Sequence, residues 1–260
     1  MEANVKFTIR FAAPNIWQIN EQGAGQDVDC YLVIGNERAV LIDSLMSRGD
    51  RRLYDIVREK TDLPISVLHT HGHGDHVGAE LQEFIDAGCD VYVSPKDNEI
   101  LGQFGASYPA DAFKPLEAGM AFDLGGRKLE VFEVPGHTKG SVAFLDRERR
   151  QLFSGDTVGS GHIWLQLPTS TKLSEFVENL KKFEEEIADL RGLIIYPGHS
   201  SQSAVQLNAA YVTHLRELSE MIVAGEIVGD ESPMLTERFP NARVASYGLV
   251  QSLVYDLNNL

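Results

Sequence analysis

Basic residues are scarce: 23 lysines and arginines stand against 38 aspartates and glutamates, for a formal net charge of -15. A field of that sign repels phosphate backbones and anionic membrane surfaces, so neither nucleic acid nor a membrane is an expected partner. Cysteine is nearly missing. Cys30 and Cys89 sit in the apolar runs "DCYLVI" and "GCDVYV" with no CxxC or other metal-like spacing, and they read as buried free thiols suited to a reducing cytoplasm. Long hydrophobic runs are missing as well. No stretch of about 18 uninterrupted apolar residues occurs, and "MEANVKFTIRFAAPNIW" carries scattered charges in place of a signal-peptide core, which points to a cytoplasmic protein. What remains is 260 residues, 43% hydrophobic, enough to bury the core of one large α/β domain.

The chain order is that of an α/β fold. "CYLVIG" and "RAVLIDS" flank the short "NE" turn as a hairpin ending at Asp43, and "NIWQIN" precedes them as a strand. Leu53, Ile56 and Val57 fall at i, i+3, i+4, so "RRLYDIVREK" is an expected helix; the apolar strand "ISVLHT" follows. A helix in "VGAELQEFIDAG", a strand in "DVYVSP" and a helix starting near Pro95 come next, then a looser segment from Gly102 to Pro115 with the character of a loop over a cleft. Strands are expected in "KLEVFEVPGH", "SVAFLD", "QLFSGD" and "LIIYPGH". Between them runs an amphipathic helix from about Ser174, read as its N-cap, to Leu190. A long helix is expected from about Ser203 to Val223. The segment 226–260, ending in "ASYGLVQSLVYDLNNL", reads as a helical extension of a single domain spanning 1–260.

Four of the eight histidines crowd into residues 69–76, "HTHGHGDH". Four strand-like runs end in a potential ligand, at His71, His137, Asp156 and His199, and the carboxyl ends of strands are where α/β sheets carry their chemistry. His71 and His73 alternate along extended backbone and can point the same way, while Gly72 and Gly74 permit the tight turn that brings Asp75 and His76 back. Five imidazoles and two carboxylates suit zinc, with iron or manganese as alternatives. That set exceeds one open tetrahedral ion. It matches a pair about 3.5 to 4 Å apart, which lowers the pKa of bound water to roughly 7.

The run "THGHGDH" resembles the T-H-x-H-x-D-H signature of the metallo-β-lactamase superfamily, and "LIDS", "PGHTKGS", "SGDT" and "PGHS" resemble its other motifs in family order. The resemblance implies a four-layer αββα sandwich. It implies that His71, His73 and His137 hold a first divalent ion, that Asp75, His76 and His199 hold a second, and that Asp156 bridges them. Asp43 matches a carboxylate that orients ligands. His69 matches no ligand position and is expected to be scaffold, as is His214. His162, Trp164 and Tyr108 are candidates for substrate contact.

The implied activity is hydrolysis of an ester, thioester or lactone of a small molecule by a hydroxide held between two metals, with Asp75 relaying a proton to the leaving group. Asp156 stands where class B β-lactamases have cysteine or no protein ligand. The dinuclear set is similar to that of glyoxalase II, but the "GRxD" run that follows the bridging aspartate there is replaced by "TVGSGHIWLQLP". A mononuclear iron oxidoreductase resembling persulfide dioxygenases and a phosphodiesterase of the same superfamily are the alternatives. A homodimer is a candidate assembly.

Overall fold

The computed structural model describes residues 5–23, 26–102, 106–203 and 205–260. They fall into two compact units, one formed by the chain up to Val131 with Phe144–Glu148, the other by Phe132–Ala143 and Arg149–Leu260.

The first unit is built on a seven-stranded sheet in chain order: β1 (Lys6–Ala13), β2 (Ile16–Gly23), β3 (Gln26–Ile34), β4 (Ala39–Ile42), β5 (Ile65–Leu68), β6 (Asp90–Val93) and β7 (Lys114–Pro115). The first four strands meander antiparallel, with Val33 opposite Val40 across the "NE" turn. From β4 onward the pairing is parallel, and each parallel step needs a crossover. Helix α1 (Leu53–Arg58) supplies the first and α2 (Leu81–Asp86) the second. Leu53, Ile56 and Val57 of α1 and Leu81 and Phe84 of α2 are buried with Leu41 and Val67 of the sheet in one core. Every residue of β4 and β5 is buried, the pattern of inner parallel strands. Two short strands follow, β8 (Ala121–Asp123) and β9 (Lys128–Glu133), paired antiparallel with Phe122 opposite Leu129.

After β10 (Val142–Asp146), the second unit contains β11 (Gln151–Gly155), β12 (His162–Leu165), α3 (Leu173–Ile187), β13 (Ile194–Pro197), α4 (Ala209–Val223) and α5 (Pro233–Thr236). β11 pairs in parallel with β13, Phe153 opposite Tyr196. The unit closes with β14 (Ala242–Tyr247) and β15 (Val250–Asp256), which join β12 in a three-stranded sheet of order β12-β15-β14.

Several expectations from sequence need correction. The C-terminal segment is a β-hairpin with a single helical turn at Pro233–Thr236, not a helical extension. Leu249, Val250, Leu253, Val254 and Leu257 satisfy helical spacing, but Gly248 at φ 57° begins a two-residue turn that folds the second half onto the first. The helix expected from Ser203 begins at Ala209, where Asn208 accepts a hydrogen bond from Ala210 N. Ser174 lies inside α3; the cap position is Lys172. The helix near Pro95 is one 3-10 turn, Pro95–Asp97. Of the loop expected over 102–115, residues 103–105 lie outside the described residues. Among the described residues no helix is long and apolar enough to cross a membrane.

Candidate metal centre

In the first unit the chemistry gathers just past the carboxyl ends of β4 and β5. Asp43 follows β4 in the left-handed region at φ 62°, a conformation that an aspartate tolerates better than most residues. This aims its carboxylate at the chain leaving β5. One oxygen accepts the Thr70 amide at 2.8 Å, and the other accepts the Nδ1–H of His76 at 2.8 Å. With Nδ1 protonated and held, the Nε2 lone pair of His76 is left free of a proton and could hold a metal ion. The Nε2 lies 3.9 Å from Oδ2 of Asp75, whose side chain keeps 20% of its surface exposed. The rings of His71 and His73 are 4.9 Å apart, and those of His71 and His76 4.2 Å. All three imidazoles are buried.

Packing around this loop explains how the cluster stays in register. A Cβ on Gly78 would sit 1.8 Å from the Leu45 carbonyl oxygen, so only glycine admits the segment after Asp43 against the segment after His76. The buried Glu21 secures that first segment by accepting the amides of Met46 and Ser47. Asp97, also buried, accepts the amide of Gly72 at 2.8 Å, fixing the link between His71 and His73. His69 is occupied structurally: Nδ1 donates to the Tyr92 carbonyl at 3.0 Å and Nε2 faces the Ser44 hydroxyl at 3.2 Å. Burial lowers its pKa to about 4, so the ring is neutral.

In the second unit, His137, Asp156 and His199 are brought together after β9, β11 and β13. Nε2 of His199 lies 3.1 Å from Oδ2 of Asp156, and Nε2 of His137 lies 3.7 Å from the same oxygen. The other carboxylate oxygen takes a hydrogen bond from the buried Ser160 hydroxyl at 3.1 Å. His137 Nδ1–H donates to the Trp164 carbonyl at 2.8 Å, which again leaves Nε2 as the nitrogen that could hold a metal ion.

Of the substrate-contact candidates, Trp164 is half-buried and His162 exposed in β12, with rings 5.6 Å apart. Tyr108 is packed in the first unit's core, its hydroxyl donating to the Gly78 carbonyl at 3.0 Å. Reading the sequence alone missed Asp97, Glu21, Ser160 and the Trp164 carbonyl. Asp97 carried a faint signal, an acid in the turn after a strand end; a backbone carbonyl carries none. The first unit thus presents three imidazoles and a carboxylate, and the second two imidazoles and a carboxylate, His and Asp residues able to bind a metal. Neutral nitrogens and carboxylate oxygens fit a borderline-soft divalent ion.

Comparison with known proteins defines the class. Solved structures of similar fold include a metallo-beta-lactamase from Pontibacter korlensis, with a TM-score of 0.67 at 18% identity over 83% of this chain and 99% of that one. DIM-1 metallo-beta-lactamase gives 0.67 at 20% identity, covering 84% and 99%. The fold is therefore the metallo-β-lactamase fold, an α/β sandwich. The model of the metallo-beta-lactamase superfamily matches residues 23–199, more than half of the chain, and the chain belongs to that superfamily. It is similar to the acyl-coenzyme A thioesterase MBLAC2 of Homo sapiens, 28% identical over 209 residues that span 68% of this chain and 74% of the relative. It is also similar to the hydroxyacylglutathione hydrolase GloC of Haemophilus influenzae, 28% identical over 191 residues, 68% of this chain and 87% of the relative. With relatives named as hydrolases, the chain is a hydrolase of the superfamily, a glyoxalase II-like member.

Proposed function

We propose that the protein is a thioesterase in which His71, His73 and His137 hold one divalent ion, Asp75, His76 and His199 hold a second, and Asp156 bridges them, zinc being the expected metal. The observation that carries this reading is the pair of anchored imidazoles: His76 and His137 each have Nδ1–H fixed by an oxygen acceptor, Asp43 and the Trp164 carbonyl, so that Nε2 is the donor. Relatives named as thioester hydrolases support the substrate class.

When held by these residues, two divalent ions would supply Lewis acidity and lower the pKa of a bound water toward neutrality. The chain's own residues then govern orientation and protons. Asp43 and Trp164 hold two imidazoles in one tautomer. Ser160 holds one oxygen of Asp156 and so turns the other toward His137 and His199. Asp75, whose side chain keeps 20% of its surface exposed, takes up the proton released by the attacking water and passes it to the leaving group. A thiol of pKa about 8.5 needs that proton little, whereas an alkoxide, with a pKa near that of water, about 15.7, needs it much.

The test measures thiol release from acyl-coenzyme A and hydroxyacylglutathione thioesters, and acid release from a lactone and an alkyl ester. The expected result is thioester hydrolysis faster than ester hydrolysis. Asp75→Asn should slow the esters about 100-fold more than the thioesters, at the lower end of what a general acid contributes. Lactone or ester turnover that outpaces every thioester contradicts the thioesterase reading.

A further inference from the structure

The superfamily match ends at residue 199, and the C-terminal hairpin lies beyond it. Three contacts inside the second unit connect the hairpin to His137. First, β15 pairs in parallel with β12, with Val254 opposite Trp164, the residue whose carbonyl holds His137 Nδ1. Second, the tail after β15 returns to the loop before α3: the Asn259 side-chain amide donates to the Thr171 carbonyl at 3.0 Å, and the Asn259 carbonyl accepts the Leu173 amide at 2.9 Å. Third, that loop grips the segment around His137. The Thr171 amide donates to the Gly136 carbonyl at 3.0 Å, and the Ser170 hydroxyl donates to the His137 carbonyl at 2.9 Å. The hairpin is itself fixed to α4, because the Leu249 amide donates to Nδ1 of His214 at 3.0 Å.

We infer that residues 242–259 are a brace that sets the orientation of His137, with Asn259 as the positioning residue at its end. The inference rests on the reading of His137 as a metal ligand. Without the tail, the loop 166–171 loses its only side-chain tie among these contacts to the C-terminus, and both backbone and ring of His137 gain freedom. Partners that orient a ligand from outside the coordination sphere cost about 10–100-fold in metal affinity when removed, and Asn259, acting through Thr171, belongs at the lower end.

The experiment compares full-length Asn259→Ala, Asn259→Gln, Asn258→Ala and His137→Ala with a chain ending at residue 257. Zinc affinity is read by competition with a chromophoric chelator. The ¹⁵N shifts of the His137 ring are read in metal-stripped protein, where they report tautomer directly. Asn259→Ala is expected to weaken one of two zinc ions about tenfold and to move His137 from pure Nδ1–H tautomer toward a mixture. Asn259→Gln, which keeps the donor, recovers part of the loss, and Asn258→Ala, on an exposed neighbour, changes neither readout. Wild-type affinity and tautomer in Asn259→Ala overturn the brace. Should the shortened chain fail to fold, Asn259→Ala decides alone. His137→Ala separates the two ideas: loss of one ion with a silent Asn259→Ala removes only the brace, whereas retention of both ions removes the ligand reading and the brace with it.

Discussion

Oδ2 of Asp43 lies 2.8 Å from Nδ1 of His76, across 33 residues of sequence, with both side chains almost wholly buried. One carboxylate therefore ties the end of β4 to the chain beyond β5 and fixes the tautomer of His76. Its other oxygen holds the Thr70 amide, so the residue before His71 depends on it as well.

Asp43→Ala should leave the His76 Nδ1–H and the Thr70 amide buried without their acceptor. At about 1–3 kcal/mol per unsatisfied group, metal-free protein should lose roughly 2–6 kcal/mol of stability. Zinc affinity should fall about 10–100-fold. Urea midpoints and chelator competition measure the two losses separately; unchanged zinc affinity would remove Asp43 from the metal centre.

Gly78→Ala should be among the most damaging single-methyl additions in the first unit. Its new Cβ would meet the Leu45 carbonyl oxygen at 1.8 Å and the Met46 carbonyl oxygen at 2.5 Å, and the clash involves backbone that also carries Asp43. A cost of about 3 kcal/mol or more is expected. Gly88→Ala provides the control, because a Cβ there meets nothing within 4 Å and only the φ of 75° opposes it, at about 1–2 kcal/mol. Equal urea midpoints for the two variants would contradict the close approach at Gly78.

His69 makes stability depend on pH in a defined direction. Burial lowers its pKa from 6.5 to about 4, so between those values the unfolded chain takes up a proton that the folded protein refuses. Stability contributed by the neutral ring is complete above pH 6.5 and is lost as pH falls toward 4. About 2 kcal/mol should go between pH 7 and pH 5. Urea midpoints of metal-stripped protein should show a shallower decline over that window in His69→Gln than in wild type. Identical slopes would mean that His69 is not held neutral.

Much of this site is legible in the sequence because its residues cluster at strand ends and strands announce themselves locally. The runs "AVLI" and "ISVL", the turn at "NE" and the spacing of Leu53, Ile56 and Val57 each specify an element without help from distant chain. The β-α-β order then brings Asp43 and the histidine run to one sheet edge. What stays hidden depends on long-range contacts. The hairpin at 242–256 has helical spacing along its apolar residues, and only the turn at Gly248 favours strands. Ser174 looks like a cap, yet the Leu173 amide at the start of α3 is satisfied by Asn259, a partner that no local pattern reveals. The acceptor for His137 is the backbone of Trp164, and a carbonyl has no sequence signature.

The central claim is that these imidazoles and carboxylates hold two metal ions, and the most direct measurement is metal content per chain by elemental mass spectrometry on protein purified without added metal. The account predicts two equivalents in total, chiefly zinc, falling to one or fewer in a variant with both His71 and His73 replaced by alanine. A single tightly held iron per chain, unchanged in that double variant, would contradict it.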